Sequence, residues 1–185
     1  MLVIKYIVLF CIFGTTSYIG ILVGNKYSKR VKELQEMKNA LSMFESKIKF
    51  TYEPLPQVFE EISNKFCSNV GDIFKKAAYK MKEKTADISW SEAISEVNSN
   101  MKKEDIDVLN SMSKMLGKTD LDGQISEIEL VNGFLNTQID IAQKEKIKNE
   151  KLHRTLRYSN WTCNYYCFSL VAKTYKKYKR EGATK

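Results

Sequence analysis

Side chains capable of catalysis or metal binding are few and widely spaced in this chain. His153 is the only histidine, and it lies beside Arg154 in a charged segment, where a helical histidine is more often plain surface than a general base. Cys163 and Cys167 are four residues apart, but no further cysteine or histidine completes a tetrahedral zinc site. No glycine-rich phosphate loop, nucleophile elbow or HExxH motif is present. The sequence therefore predicts free thiols, no metal and no cofactor.

The acidic pairs are the remaining candidates for acid–base chemistry. Glu60–Glu61 and Glu104–Asp105 both occur beside lysines, a pattern typical of a solvated helix surface. The aromatic and methionine residues follow helical spacing, which favours a core over cofactor contacts. We predict that the protein has no catalytic residues and is not an enzyme.

The N-terminal segment has the length and composition of a membrane-spanning helix. No charged residue occurs in the 19 positions from Tyr6 to Gly24. A helix that crosses a bilayer needs about 20 residues at roughly 1.5 Å per residue. A cleaved signal peptide is the alternative, but no pattern of small residues suitable for cleavage follows the apolar run. We predict a transmembrane anchor at residues 1–25.

The charges that flank this segment predict its orientation. Three basic residues occur from Lys26 to Arg30, whereas only Lys5 precedes the segment. The positive-inside rule then places the bulk of the chain in the cytoplasm, attached to the lipid bilayer of the cell membrane. Gly20 and Gly24 form a small-xxx-small pair that predicts close packing with another membrane helix.

The formal net charge of +8 does not indicate nucleic-acid binding. Of the 30 basic and 22 acidic residues, seven basic and one acidic residue occur from Arg157 onward, which leaves 23 and 21 for the rest of the chain. The body is therefore nearly neutral, with both signs mixed. Nucleic-acid binding requires a basic surface on the folded domain, so we exclude it.

Apolar residues recur three and four positions apart after the anchor, which predicts helices. The first soluble helix, with its apolar seam from Tyr27, is expected to continue out of the membrane helix as one long helix. It ends near Phe50, because Pro54 and Pro56 disfavour helix before them. Ser89 and Glu92 have the spacing of a capping box that opens a shorter helix. The predicted inward faces include Leu34, Met37, Leu41, Phe44, Val58, Phe59, Ile62, Ile73, Phe74, Trp90, Leu109, Met112, Leu121, Ile125, Ile128, Leu135, Ile139 and Ala142.

The last two helices are predicted to meet at a short link. A helix over Glu104–Leu116 ends at Gly117 in the left-handed conformation. Thr119 or Asp120 then caps a final helix that runs to about Leu156. The predicted fold is all-α: a transmembrane helix followed by a compact cytoplasmic bundle of about six helices at residues 26–156.

A set of residues in this order resembles a known family. They are Gly20, Arg30, Leu34, Leu41, Phe44, Glu45, Ile48, Leu55, Trp90, Ala93, Leu109, Leu116, Gly117, Asp120, Gln124, Lys148–Leu152 and Arg154–Leu156. Their order and spacing resemble the stage III sporulation protein AB family of endospore-forming bacteria, over residues 1 to about 156.

The resemblance implies both a place and partners for the protein. The family belongs to the machinery that links mother cell and forespore, in the mother-cell membrane around the forespore. Its soluble domain is similar to the cytoplasmic domains of type II secretion and type IV pilus inner-membrane platform proteins. A sporulation ATPase and ring-forming membrane proteins are the implied partners, and mechanical coupling between them is the implied function. The family brings no catalytic residues.

The corner before the last helix is the candidate partner contact. Gly117, Asp120 and Gln124 carry the sharpest part of the resemblance and would form this contact surface. The sequence favours the simpler interpretation, in which Gly117 only stops one helix and Asp120 only caps the next.

Residues 157–185 depart from the family pattern, in which a second apolar membrane helix follows the charged stretch. A shift of one base after the start of the Arg157 codon converts Trp161–Thr162 into glycine. The same shift turns the codons from Asn164 to Phe168 into isoleucine, threonine, valine or alanine. We therefore interpret the basic tail as a possible frameshift product that replaces a second transmembrane helix.

A membrane-anchored coiled-coil adaptor is the alternative function. The apolar seam from Tyr27 to Ile48 extends over about three heptads, enough for a short dimeric rod. Met37 and Phe44 disturb its regularity, so we rank the adaptor second.

Overall fold

The computed structural model describes residues 2–51, 53–117 and 121–182, with side chains described mainly within residues 24–117 and 122–152. The described residues form six α-helices and no strand. The helices are α1 (Leu2–Thr51), α2 (Leu55–Lys65), α3 (Asn69–Lys80), α4 (Ala86–Glu96), α5 (Lys103–Ser113) and α6 (Leu121–Gly182). The chain divides into two compact units, Met1–Lys146 and Ile147–Lys185. The prediction of an all-α fold with six helices is confirmed for these residues.

Helix α1 is a single helix of 50 residues that includes both the uncharged N-terminal segment and the first helix of the core. Its inward positions are buried at the predicted spacing of three and four residues. They are Val31, Leu34, Met37, Leu41, Phe44 and Ile48. The helix ends at Thr51, before Pro54 and Pro56, as the prolines predict.

Helix formation in α1 does not by itself establish membrane insertion. Among the residues that the structure describes, no helix is both long enough and apolar enough to cross a bilayer. The transmembrane anchor expected at residues 1–25 is not shown by the structure and stays a prediction.

Four aromatic rings form the centre of the core. Phe59 packs edge-to-face against Phe44, Phe74 and Trp90, with ring centroids 4.9, 5.0 and 5.5 Å apart. The indole Nε1–H of Trp90 donates a hydrogen bond of 2.9 Å to the Leu109 carbonyl oxygen. Because these residues come from five different helices, the cluster ties α1 to α5 around one point.

The start of α4 differs from the prediction. The helix begins at Ala86, so Ser89 lies inside it, fully buried, and the Ser89 Oγ has no hydrogen-bond partner among the described residues. Glu92 instead accepts hydrogen bonds from Lys80 and Lys84, at 2.5 and 2.6 Å. The predicted capping box is wrong, because a serine and a glutamate three residues apart also share one face of a helix interior.

The link between α5 and α6 is set by Gly117. Its φ of 70° confirms the predicted left-handed conformation. Helix α5 ends at Ser113 rather than Leu116, because the N–H groups of residues 114–116 bond to carbonyls three residues back, as in a tightened last turn. Asp120 and Thr119, the predicted caps of the next helix, lie outside the described residues.

Helix α6 is longer than predicted. It spans 62 residues and continues to Gly182, whereas the sequence predicted an end near Leu156. No glycine or proline occurs between Gly133 and Gly182, so no helix breaker interrupts it. Its buried residues are Ile128, Val131, Leu135, Ile139 and Ala142. Val131 was not predicted, and the interpretation of residues 157–185 as a frameshift product stays a prediction.

Replacing the central indole tests the aromatic cluster. Trp90→Phe removes the donor to the Leu109 carbonyl and leaves unfilled volume in a fully buried site, so we expect a loss of about 1–3 kcal/mol in the free energy of unfolding. Urea unfolding of the detergent-solubilised full chain, followed by circular dichroism, measures it. Tyr79→Phe is the matched control, since Tyr79 is exposed. Equal stability of the two variants would contradict the role given to Trp90.

A pair of glycine substitutions tests the link. Gly117→Ala should destabilise the protein by about 1–2 kcal/mol, because an L-residue disfavours a φ of 70°. The added Cβ would lie 3.7 Å from the Ala86 Cβ, an ordinary contact, so crowding adds nothing. Gly133→Ala, in the interior of α6 with open space around its Cβ, should stabilise by up to about 1 kcal/mol. Thermal unfolding compares both, and shifts of the same sign would overturn this account.

Candidate protein-binding site

A buried arginine determines how α6 sits on the rest of the first unit. Arg30 lies on the inward side of α1 and is only 3% exposed. Its Nε and Nη2 donate to the two carboxylate oxygens of Asp105 on α5, both at 2.8 Å. Its Nη1 donates to Glu145 on α6, also at 2.8 Å. One guanidinium therefore joins three helices, with the bidentate geometry that makes such pairs strong.

Neighbouring groups complete this arrangement. The Lys102 backbone N–H donates to Asp105 at 2.8 Å, and the Lys102 ammonium donates to Glu145 at 2.6 Å. The hydrogen bond with Asp105 is the main cause that raises the pKa of Arg30, and burial acts in the opposite direction. Arg30 is therefore permanently charged. The Arg30–Asp105 pair does not exchange a proton with a substrate. We interpret it as structural.

The sequence prediction for the Glu104–Asp105 pair is half wrong. Glu104 is exposed, as predicted, but Asp105 is fully buried against Arg30. A signal for this was present, since Arg30 lies four residues before Leu34 and seven before Met37, on the apolar seam of α1. A charge at such a position requires a buried partner of opposite sign.

With its inner face fixed, α6 presents an apolar outer face. Leu130, Phe134 and Ile141 are 53%, 50% and 42% exposed. They follow one another at four and seven residues, which places them on one side of the helix, away from the buried Ile128 and Leu135. We call Leu130, Phe134 and Ile141 the outer stripe. Sequence reasoning missed it, although the spacing was readable.

The predicted contact corner is only partly described. Gly117 is exposed, Gln124 is half-buried in the first turns of α6, and Asp120 lies outside the described residues. Gln124 precedes the outer stripe on the same helix, whereas Gly117 lies before that helix begins. Gly20 and Gly24 lie within α1, and their role in membrane packing stays a prediction.

The part of the chain with described side chains offers no metal site. No three His, Cys, Asp or Glu side chains come together there. Cys11 and Cys67 are exposed free thiols, whereas the side chains of His153, Cys163 and Cys167 lie outside the described set.

Comparison with known proteins identifies the family of this chain. The family model for stage III sporulation protein AB matches residues 5–159. The chain belongs to this family. Stage III sporulation protein AB of Bacillus subtilis (strain 168) is 23% identical over 145 residues, which cover 76% of this chain and 85% of that protein. The family resemblance predicted from the sequence is confirmed.

A solved structure of stage III sporulation protein AB shares the fold. It superposes with a TM-score of 0.62 at 20% identity, over 65% of this chain and 98% of that chain. At this identity the likeness shows the architecture alone. The two chains therefore share a helical fold over this part.

The contribution of the Arg30–Asp105 ion pair to stability can be measured by substitution. Arg30→Met leaves Asp105 buried without a cation, so we expect a loss of about 3–5 kcal/mol in unfolding free energy. Adding Asp105→Asn should recover part of it, because the neutral side chain keeps an acceptor for the Lys102 N–H. Lys32→Met, an exposed change on the same helix, is the control and should stay within about 0.5 kcal/mol. Additive losses in the double variant, measured by urea unfolding, would contradict this account.

Proposed function

We propose that the protein is a non-enzymatic, membrane-anchored component of a sporulation transport complex between mother cell and forespore. Its helical domain couples a partner ATPase to ring-forming membrane proteins. The bulk of the chain lies in the cytoplasm of the mother cell, and residues 1–25, which include the uncharged segment Tyr6–Gly24, are its anchor. Family membership supports the process, and the resemblance to secretion platform proteins supports the role.

The continuity of α1 is the observation that carries the coupling part of the proposal. The helix passes without interruption from the uncharged segment, through Lys26, into the core at Arg30. A helix transmits displacement along its axis, whereas a glycine-rich or unstructured linker would absorb it. Movement imposed on the domain would therefore reach the anchor directly.

The apolar seam of α1 is buried in the core of its own chain, which argues against the coiled-coil adaptor. Leu34, Met37, Leu41 and Phe44, which would form the dimer contact, are completely buried against the chain's own helices. A dimeric rod built on this seam would have to unpack the core. We therefore retain the adaptor only as the weaker alternative.

Crosslinking in sporulating cells tests the proposed partners. The full-length anchored protein, carrying photoreactive residues at exposed positions of the helical domain, should crosslink to the sporulation ATPase and to ring-forming membrane proteins. A chain that crosslinks to neither of them would contradict the proposal.

A matched pair of variants tests the coupling. Replacing Lys26, Tyr27 and Ser28 by three glycines should weaken α1 locally by about 3 kcal/mol relative to three alanines. Both variants should stay in the membrane fraction and keep their crosslinks. Counts of heat-resistant spores should fall at least tenfold for the glycine variant and stay near wild type for the alanine variant. Equal counts would exclude rigid coupling through α1.

A further inference from the structure

Among the described side chains of the first unit, the outer stripe is the one place where large exposed apolar residues share a helix face. The other large, exposed apolar side chains described there, Tyr18, Phe50, Tyr79 and Ile88, are separated along α1 or lie on α3 and α4. Leu130, Phe134 and Ile141 instead recur at four and seven residues on α6. Single exposed apolar residues need no explanation, whereas several on one helix face indicate an interaction surface, here with exposed Thr137 between Phe134 and Ile141.

The charges beside Leu130 and Phe134 are acidic, whereas an exposed lysine, Lys144, follows three residues after Ile141. From Leu121 to Gln143 the chain has four acidic residues and no basic one. At helical spacing, Glu127 borders one side of the stripe, and Glu129 and Asp140 border the other. In the described structure none of these carboxylates forms an ion pair, although Lys38 lines the same open cleft as Asp140. We call Glu127, Glu129 and Asp140 the acidic rim.

The acidic rim selects among the possible occupants of the stripe. A second copy of this chain, docked through the same face, would add a second set of the same carboxylates to the contact, which disfavours it. An anionic lipid surface would be repelled in the same way. A segment with basic residues on both sides of an apolar row would complement both features.

Gly133 adds an independent observation beside the stripe. It lies in the interior of α6, where glycine costs about 1 kcal/mol relative to alanine. A Cβ added there would meet no atom within 4 Å, so no contact inside the chain requires the glycine. Its position three residues after Leu130 and directly before Phe134 would let a partner backbone approach α6 closely.

We propose that the outer stripe and its acidic rim form the docking site for a basic amphipathic helix of a partner protein. The stripe extends about 16 Å, or three turns, which fits a helix of about twelve residues with apolar side chains at three- and four-residue spacing. Lysine or arginine residues flank that row and face the acidic rim. The inference rests on the proposed function only in taking the protein to be an assembly component.

Photocrosslinking from the stripe tests this docking site. Benzoylphenylalanine replaces Phe134 in the full-length anchored protein in sporulating cells, and crosslinked peptides are identified by mass spectrometry. Benzoylphenylalanine at Phe50, another exposed phenylalanine, is the matched control. The expected adduct at position 134 is a basic segment with helical apolar spacing, absent or at least tenfold weaker at position 50.

Charge reversal of the rim separates docking from chance capture. The triple variant Glu127→Lys/Glu129→Lys/Asp140→Lys should reduce the adduct at position 134 at least tenfold. An adduct that is unaffected by the triple variant would overturn the proposal. So would an acidic segment, a lipid adduct, a second copy of this chain or no adduct at all.

Filling the space above Gly133 separates docking from folding. Gly133→Leu places a side chain into open solvent, so the melting temperature of the chain should be unchanged or higher. The adduct at position 134 should nevertheless fall at least fivefold, because the leucine occupies the path of the partner backbone. An undiminished adduct would overturn the close approach.

The outcomes distinguish this inference from the proposed function. Crosslinks to the ATPase and membrane partners from other positions, with none from position 134, would leave the proposed function intact and overturn the docking site. A basic helix captured at position 134 from a protein outside the complex would support the docking site and contradict the proposed partners.

Discussion

The buried guanidinium of Arg30 is the interaction on which the arrangement of the helices depends. Helix α1 enters the core at this residue, and its side chain reaches α5 through Asp105 and α6 through Glu145. A buried cation is stable only when its donors are paired, so the three helices have to meet in one register. Apolar contacts tolerate small slides between helices, whereas a bidentate ion pair does not.

Glu33 repeats this constraint almost one turn further along α1. Its carboxylate accepts hydrogen bonds from the Asn69 side chain at 2.8 Å and from the Asn100 backbone at 2.6 Å. Asn69 opens α3, and Asn100 lies between α4 and α5. Arg30 and Glu33 together therefore fix most of the core to two adjacent turns of one long helix.

The sequence predicted the architecture well because periodic apolar spacing reports burial directly. The seam of α1, the aromatic positions and the left-handed Gly117 are all local or periodic signals, and the structure confirms them. The roles of Ser89 and Asp105 could not be assigned in this way. Whether a serine caps a helix or lies within it, and whether a carboxylate is solvated or paired, depends on residues distant in sequence. Asp105 and Arg30 are 75 positions apart.

The carboxylates of this protein fall into two groups, those that are paired inside the chain and those of the acidic rim, which are not. Asp105, Glu145 and Glu33 are paired or hydrogen-bonded within the chain, and they set the register of the helices. The acidic rim makes no such pair in the described structure, although residues before Arg157 are almost balanced in charge. Unpaired like charges along one helix destabilise it slightly, and exposed apolar residues beside them gain nothing in the free chain. A basic, apolar helix that covers this face would neutralise the carboxylates and bury the apolar side chains. A single partner would therefore account for both the acidic rim and the outer stripe of α6.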